Sequence, residues 1–432
     1  MQRFTEKKLL EWAQKKHFKP LLVRGARQVG KSWSIRNLGN TYFKDHFVEI
    51  NLEKSTNLHS IFKQDLDVKR IIRELELVLD VSLIPSKTLI FIDEIQECPE
   101  AIAALRYFYE EVPNLHIIAA GSLLEFVLSE ISFPVGRIEQ LAMYPMTFIE
   151  FLWAINKTKL ASFLQEKPTL QSNHINQEIS EALKKYFVIG GMPACINCFT
   201  QTNSFLEVQK IQEDLLFTYQ QDFNKYKPYI NVDCVNDVMQ QTIQKIGQQI
   251  IYTKLSDRFT MPTIKKAFEA LTKARLLHKV KNVSLAGLPL TATGKQFKSI
   301  FIDIGLLVKY SGINTTKELE KDNLLGMFKG ALAEQFVGQE IMAYQNELHY
   351  WARTEKSSTA EVDYVIVQNG NIIPIEVKAS ASGTLRSLHL LLESYPHITE
   401  AYIFSEAPTG KLNKLHFIPI AYTGAMIANT AN

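Results

Sequence analysis

A chain of 432 residues exceeds what one hydrophobic core usually spans, so three or four domains are expected. With 46% hydrophobic and 22% charged residues, the composition is that of a folded, mixed protein. Four cysteines in so long a chain argue against a disulfide scaffold and for a reducing cytoplasm, and the net charge of +3 says little until it is resolved along the chain.

Met1 to Lys19 is interrupted by Lys and Glu every few residues and offers no apolar run for a signal peptide. Pro20 to Arg24 reads as a short buried strand. It runs into Gly25-Ala26-Arg27-Gln28-Val29-Gly30-Lys31-Ser32, and a helix is expected from there to about Gly39. This is the whole G-x-x-x-x-G-K-S pattern in its required strand–loop–helix context, which argues against a chance Gly-Lys-Ser after a turn. The glycines let the backbone curl so that its amides face phosphate oxygens. Lys31 can reach the β- and γ-phosphates of ATP, and Ser32 can offer a hydroxyl to Mg²⁺.

A second strand is expected over His46 to Asn51. Lys87 to Glu94 is then an apolar run ending in two carboxylates, the signature of a buried parallel strand whose carboxyl end meets ligand. Asp93 would hold Mg²⁺, and Glu94 would polarise the attacking water as general base. The next strand, Leu115 to Ala120, ends at Gly121-Ser122. Ser122 reads equally as a γ-phosphate sensor or a helix N-cap. The apolar stretch Leu115 to Leu128 contains His116 and Glu125 and is too short to span a bilayer. Arg137, in a Phe-Pro-Val-Gly-Arg loop, reads as an arginine finger or as a solvated loop residue.

These motifs, with Phe-Ile-Asp-Glu-Ile-Gln-Glu-Cys-Pro, Ala-Ala-Gly-Ser-Leu-Leu-Glu-Phe and Met-Tyr-Pro-Met-Thr-Phe-Ile-Glu-Phe-Leu, occur in a fixed order. The sequence resembles a large prokaryotic family of AAA-type P-loop ATPases, related to the STAND and archaeal ATPases, that ends in a domain of undefined function. The resemblance covers essentially the whole chain and supports ATP binding better than any physiological role. Ser180 to Tyr226 reads as mostly helical, broken at Gly190-Gly191-Met192-Pro193. In STAND-type ATPases a Gly-x-Pro turn in the helical lid sets its proline against adenine. Gly191 and Pro193 match that pattern, with a plain helix break as the alternative. A lone Cys195-x-x-Cys198 lacks the second pair that a metal site needs.

From Asp233 the pattern changes to short helices (Thr253–Phe259 and Thr263–Ala274) followed by strands (Leu276–Val283 and Ser299–Ile302), a winged-helix outline. Lys245 to Lys309 holds twelve basic and three acidic residues, a net +9 that leaves the rest of the chain at −6. A basic module on an acidic body is a reason to expect DNA, although a packing role fits the same outline.

Near the end, Glu361 to Gln368 and Asn371 to Lys378 alternate as strands around Asn369-Gly370, a preferred two-residue hairpin turn. That turn sets Asp363 opposite Glu376 and Glu361 opposite Lys378 on one face. Opposed carboxylates repel unless a cation lies between them, which suits a second Mg²⁺ or Mn²⁺. Glu334, on a helix from Gly330 to Tyr344, would add a ligand, and Lys378 would orient water or stabilise the transition state. Helix-Glu, strand-Asp and Glu-x-Lys resemble the PD-(D/E)xK restriction-endonuclease-like fold over about 328–420. Val362 stands where that pattern commonly has Pro, and Pro374 is a threat to the register.

The expected α/β architecture is thus an AAA-like three-layer P-loop core (1–160), a helical lid (161–232), a winged-helix-like basic domain (233–318) and a nuclease-like α/β domain (319–432). The expected function is Mg²⁺-dependent ATP hydrolysis coupled to a nuclease-like domain acting on or binding DNA. The alternative is a nucleotide-switch scaffold that recruits protein partners through an inert C-terminal domain. A cytoplasmic, membrane-free protein is expected, and a homo-oligomer if Arg137 acts on a neighbour.

Overall fold

The structure, a computed structural model, describes residues 1–122, 124–128, 136–226, 230–312, 329–345, 347–353, 360–378 and 384–429. Two compact units emerge: residues 2–144 with 273–275, and residues 145–272 with 276–432.

The first unit is built on five parallel strands in the order β2-β3-β4-β1-β5: β1 (Leu21–Arg24), β2 (Phe47–Asn51), β3 (Leu89–Asp93), β4 (His116–Gly121) and β5 (Glu139–Ala142). Parallel strands need crossovers, and the apolar runs of β3 and β4 are buried along their whole length, as strands covered on both faces must be. Ile71 and Leu75 from helix Val68–Leu79, and Ile102, Leu105 and Phe108 from helix Pro99–Glu111, pack with Ile90, Ile92, Ile117 and Ala119 of the sheet. Asp67 caps the first of these helices through its carboxylate, and Pro99 opens the second at a position where a missing amide costs nothing. The chain leaves β1 to one side of the sheet and returns beyond it to β5. Ligands in open α/β sheets gather in the crevice at such a reversal.

The second unit carries helices Phe148–Ala154, Thr158–Gln165, Asn173–Ile189, Pro193–Thr202 and Phe205–Asp222, matching the expected helical stretch and its break at Gly190-Gly191. The expected boundary at 160/161 falls inside one of these helices, and the break between units lies at Tyr144/Pro145. Gly191 is held on both sides. Its amide donates to Asp303 Oδ2 at 2.6 Å, and its carbonyl accepts from the Met146 amide at 2.7 Å.

The basic segment folds as helices Val232–Gln244 and Met261–Lys273 followed by β6 (Leu277–Ser284) and β7 (Thr291–Phe301). Only a short 3-10 turn, Tyr252–Lys254, stands where a helix to Phe259 was expected. The two strands do not form a separate wing. Lys281 and Asn282 of β6 pair with His349 and Tyr350 of β8 (His349–Ala352), so both strands belong to an eight-stranded sheet. Its order is β12-β13-β11-β10-β9-β8-β6-β7, with β9 (Glu361–Gln368), β10 (Asn371–Val377), β11 (Ala401–Ser405), β12 (Gly410–Leu412) and β13 (Leu415–Pro419). The boundary expected at 318/319 lies outside the described residues.

The hairpin register is the expected one: Asn371 faces Gln368, and the pairing runs through Pro374 to Ile375 opposite Tyr364. Pro374 therefore leaves the ladder undisturbed up to that pair. Beyond it the Asp363 side chain, not its backbone, takes the Val377 amide at 2.8 Å. Among the described residues, no helix is long and apolar enough to cross a membrane.

Candidate functional site

At the carboxyl end of β1 the chain enters the loop Gly25–Gly30. Gln28 and Gly30 adopt positive φ angles of 65° and 98°, which helps curl the loop, and helix Lys31–Leu38 starts directly after it. A side chain at Gly25 would meet the Met143 carbonyl at 2.4 Å, so the loop lies too close to the neighbouring strand end for any other residue. Val29 is fully buried, and its carbonyl accepts from Arg3 at 3.0 Å. Lys31 is buried and donates to the carbonyls of Gly25 and Ala26 at 3.0 and 2.9 Å. Burial pushes its ammonium down to about 8. Glu94 and Asp93 oppose that shift, whereas Arg275 and Arg27 reinforce it.

Ser32 Oγ donates to Asp93 Oδ1 at 3.0 Å across sixty-one positions of sequence. The two residues expected to share Mg²⁺ are thus brought together at the ends of β1 and β3, and burial raises the Asp93 carboxyl above its usual range. Arg36 also reaches Asp93 Oδ2 at 3.5 Å while holding Glu49 at 2.7 Å. Glu94 follows in a left-handed conformation, φ 50°, which turns the chain sharply after the strand. Its Oε2 accepts from Gln96 Nε2 at 2.6 Å. A side chain on Gly121 would collide with Gln96 Oε1 at 2.1 Å, so the end of β4 packs directly against Gln96. Ser122, buried, ends β4 between the two strands that supply the cradle and Asp93.

Sequence reasoning missed Gln96 and a clamp on Glu125. Glu125 Oε1 takes Arg24 at 2.6 Å and Arg275 at 2.8 Å. Arg24 directly precedes the phosphate loop, and Arg275, read from sequence as part of a DNA-binding run, folds with the first unit.

Arg137 is not part of this constellation. It precedes β5 at the amino end of the sheet, opposite the phosphate loop, and pairs with Glu110 at 2.9 Å. The four residues of β5 alone separate the two ends by roughly 13 Å. The Phe133–Val135 stretch before it lies outside the described residues. Pro193 belongs to the second unit, where it opens helix Pro193–Thr202. In the same helix Cys195 is buried, and burial raises its thiol.

The acidic motif of the C-terminal sheet is assembled, with one unexpected member. Lys298 Nζ, 2% exposed, lies 2.8 Å from Glu334, 2.7 Å from Glu361 and 3.4 Å from Asp363. It too was read as a DNA lysine, yet it sits in the buried half of β7. Glu376, expected beside Asp363 as a metal ligand, pairs with Lys378 at 2.6 Å, and burial lifts its carboxyl to about 7. Among the described residues, no group of three or more His, Cys, Asp or Glu side chains is arranged to hold a metal ion. The ligand set Glu334, Asp363 and Glu376 does not fit a second Mg²⁺ or Mn²⁺ in this arrangement. Lys378 also borders a cavity of about 510 Å³ lined by Lys184, Phe187, Ser405 and Tyr422.

The other basic residues divide. Lys309 pairs with Glu213 at 2.5 Å and Arg258 with Asp237 at 3.1 Å, while Lys279 lies over the rings of Tyr252 and Phe297. Lys254, Lys265, Lys266, Lys281 and Lys295 are exposed.

Comparison with known proteins matches residues 17–152 to an AAA domain, and 180–317 and 329–421 to two domains of unknown function, DUF8612 and DUF4143. An uncharacterized protein of Methanocaldococcus jannaschii is 23% identical over 280 residues, 60% of this chain. The match spans only 56% of that relative's length. Among solved structures, a Walker-type ATPase of Pyrococcus abyssi aligns over 72% of this chain and 95% of its own, at 16% identity and a TM-score of 0.46. The RuvB Holliday junction branch migration motor of Thermotoga maritima aligns over 65% and 90%, at 13% identity and 0.31. The phosphate loop, the sheet order and the AAA match together make the first unit an AAA-type P-loop domain.

Proposed function

We propose that this protein is an ATP-driven switch whose second unit contacts DNA without cutting it. The observation that carries the nucleotide half is the 3.0 Å contact between Ser32 and Asp93 beside a buried Lys31. Mg²⁺, when bound with ATP, neutralises phosphate charge, and Ser32 and Asp93 are the residues that would hold it. Lys31 would exchange its two loop carbonyls for phosphate oxygens. Glu94 takes the proton of the attacking water once it leaves Gln96, and Ser122 at the adjoining strand end contacts that water or the γ-phosphate.

For Arg137 the geometry favours a role on a neighbouring subunit, because its own phosphate loop lies at the other end of the sheet. ATPase activity per subunit should then rise with protein concentration. Lys31→Ala chains, which keep Arg137, should restore turnover to Arg137→Ala chains when the two are mixed. Flat specific activity with no restoration removes the arginine from catalysis.

The nuclease-like reading of the C-terminal part is supported by its element order: helix Lys329–Tyr344, the antiparallel strands β8, β9 and β10, helix Arg386–Ser394, then β11 parallel to β10. Lys298 within the acidic cluster favours binding over cleavage. The same observation is what a partner-recruiting scaffold would show, and DNA binding separates the two. If Lys254, Lys265, Lys266, Lys281 and Lys295 contact phosphates, log affinity should fall against log salt with a slope of about −4.5. Replacing Lys265 and Lys266 should flatten that slope by about 2. Failure to bind duplex or single-stranded DNA at low salt would leave the scaffold reading.

A further inference from the structure

We propose that Lys298 is the resident cation of the acidic cluster on the C-terminal sheet, holding through its ammonium the carboxylates that the sequence motif would offer to a divalent metal. The inference borrows from the nuclease-like reading only the metal that such a motif implies, and it does not depend on any ATP-driven step.

The contacts are those of charge-assisted hydrogen bonds. The 2.8 and 2.7 Å separations from Glu334 and Glu361 match ammonium–carboxylate pairs. The second oxygens of Glu361 and Asp363 are also committed elsewhere. Glu361 Oε2 accepts from Gln249 at 2.5 Å while its Oε1 takes Lys298. Asp363 gives one oxygen to Lys298 at 3.4 Å and the other to the Val377 amide at 2.8 Å. A hard divalent cation needs about six oxygens at roughly 2.0–2.6 Å, so it would have to strip these partners and sit beside a buried positive charge. Glu376, the residue that would complete a metal set, gives its Oε1 to Lys378, and its buried Oε2 is left without a partner among the described residues.

The position of the lysine is fixed by folding and not by side-chain flexibility. Lys298 lies between Phe297 and Ser299 in the run Phe297–Phe301, every residue of which is buried. Its stem passes the rings of Tyr350 and Tyr364, at 6.0 and 5.9 Å from the ammonium to the ring centres. Tyr364 is itself tied to helix Lys329–Tyr344 by a 2.9 Å hydrogen bond to the Glu334 carbonyl. The lysine thus joins β7 to β9 and to that helix, and the cluster works as an ionic lock within the second unit.

Manganese binding to the full, nucleotide-free chain, counted by the electron spin resonance of free Mn²⁺, tests this. Wild type and Asp363→Asn should bind the same number of ions. Lys298→Met should bind one more per chain than wild type, and Lys298→Met/Asp363→Asn should lose that ion. Lys298→Arg, which keeps the charge, should gain none. Loss of a bound ion in Asp363→Asn relative to wild type would overturn the proposal, as would a Lys298→Met protein of native circular dichroism that gains no site. If Lys298→Met fails to fold, the comparison of wild type with Asp363→Asn still decides. ATP turnover on the same samples reports on the first unit separately, so its absence would count against the ATPase reading and leave the metal result intact.

Discussion

Lys31→Ala should abolish detectable ATP binding, whereas Glu94→Gln should bind ATP as wild type does and hydrolyse it about 10²–10⁴-fold more slowly. The two residues fail differently because they act on different states. Lys31 is buried in the loop and satisfied by two carbonyls, so phosphate oxygens replace bonds already paid for by the fold. Removing it takes away the charge and also empties the cradle. The Glu94 carboxylate accepts a hydrogen bond from Gln96, and its role begins when water is activated. Titration with a fluorescent ATP analogue and phosphate release measured on the same preparations separate the effects. Equal turnover in Glu94→Gln and wild type would remove Glu94 from the base role. A further sign follows from burial. Free Lys31 loses its proton near pH 8, and phosphate contact favours its charged form, so ATP binding should take up protons between pH 8 and 9. Calorimetry in buffers of different ionisation enthalpy reads that uptake, and Lys31→Arg should remove it.

The ATPase core was legible because its signals are local. A loop that needs positive φ at Gly30 and close approach at Gly25 leaves little choice of residue, and a strand buried on both faces writes itself as an unbroken apolar run. The hairpin register was legible for the same reason, since Asn369 and Gly370 adopt the positive φ angles that a two-residue turn demands. What stayed hidden depends on partners far away in sequence. Lys298 and Arg275 look like their basic neighbours, yet one neutralises carboxylates from positions 334, 361 and 363 and the other answers Glu125. A clue to Lys298 existed: a lysine flanked by Phe297 and the apolar run Ile300-Phe301-Ile302 is poorly placed for a solvated strand end. The wing was misplaced because a two-stranded antiparallel pair reads the same alone or at the edge of a larger sheet. The pairing of Lys281 and Asn282 with His349 and Tyr350 tells them apart.

Glu340→Gln should remove a decline in stability between about pH 4.5 and 8 and leave a protein more stable than wild type above neutral pH. Glu340 is 1% exposed on helix Lys329–Tyr344, and its Oε1 accepts the Phe148 amide at 2.9 Å, capping the start of helix Phe148–Ala154. Burial, with a smaller push from Glu150, lifts its carboxyl from 4.5 to about 8, the Phe148 bond opposing. The folded chain therefore holds a proton that the unfolded chain releases above pH 4.5. The sign is opposite to that of an ion-paired carboxylate. Its contribution to stability is full below pH 4.5, declines as pH rises and is exhausted above about 8. At about 1.4 kcal/mol per unit, the whole decline is on the order of 5 kcal/mol as an upper bound. Glutamine keeps the acceptor for Phe148 and has nothing to ionise. Its amide replaces the hydroxyl of the neutral acid, so the two proteins should unfold alike near pH 5. Between pH 5 and 8.5 their midpoints in urea should separate progressively, with the variant higher. Parallel curves across that range would mean that Glu340 is charged in the folded chain at neutral pH and that the Phe148 amide bond, with help from outside the groups named here, outweighs its burial.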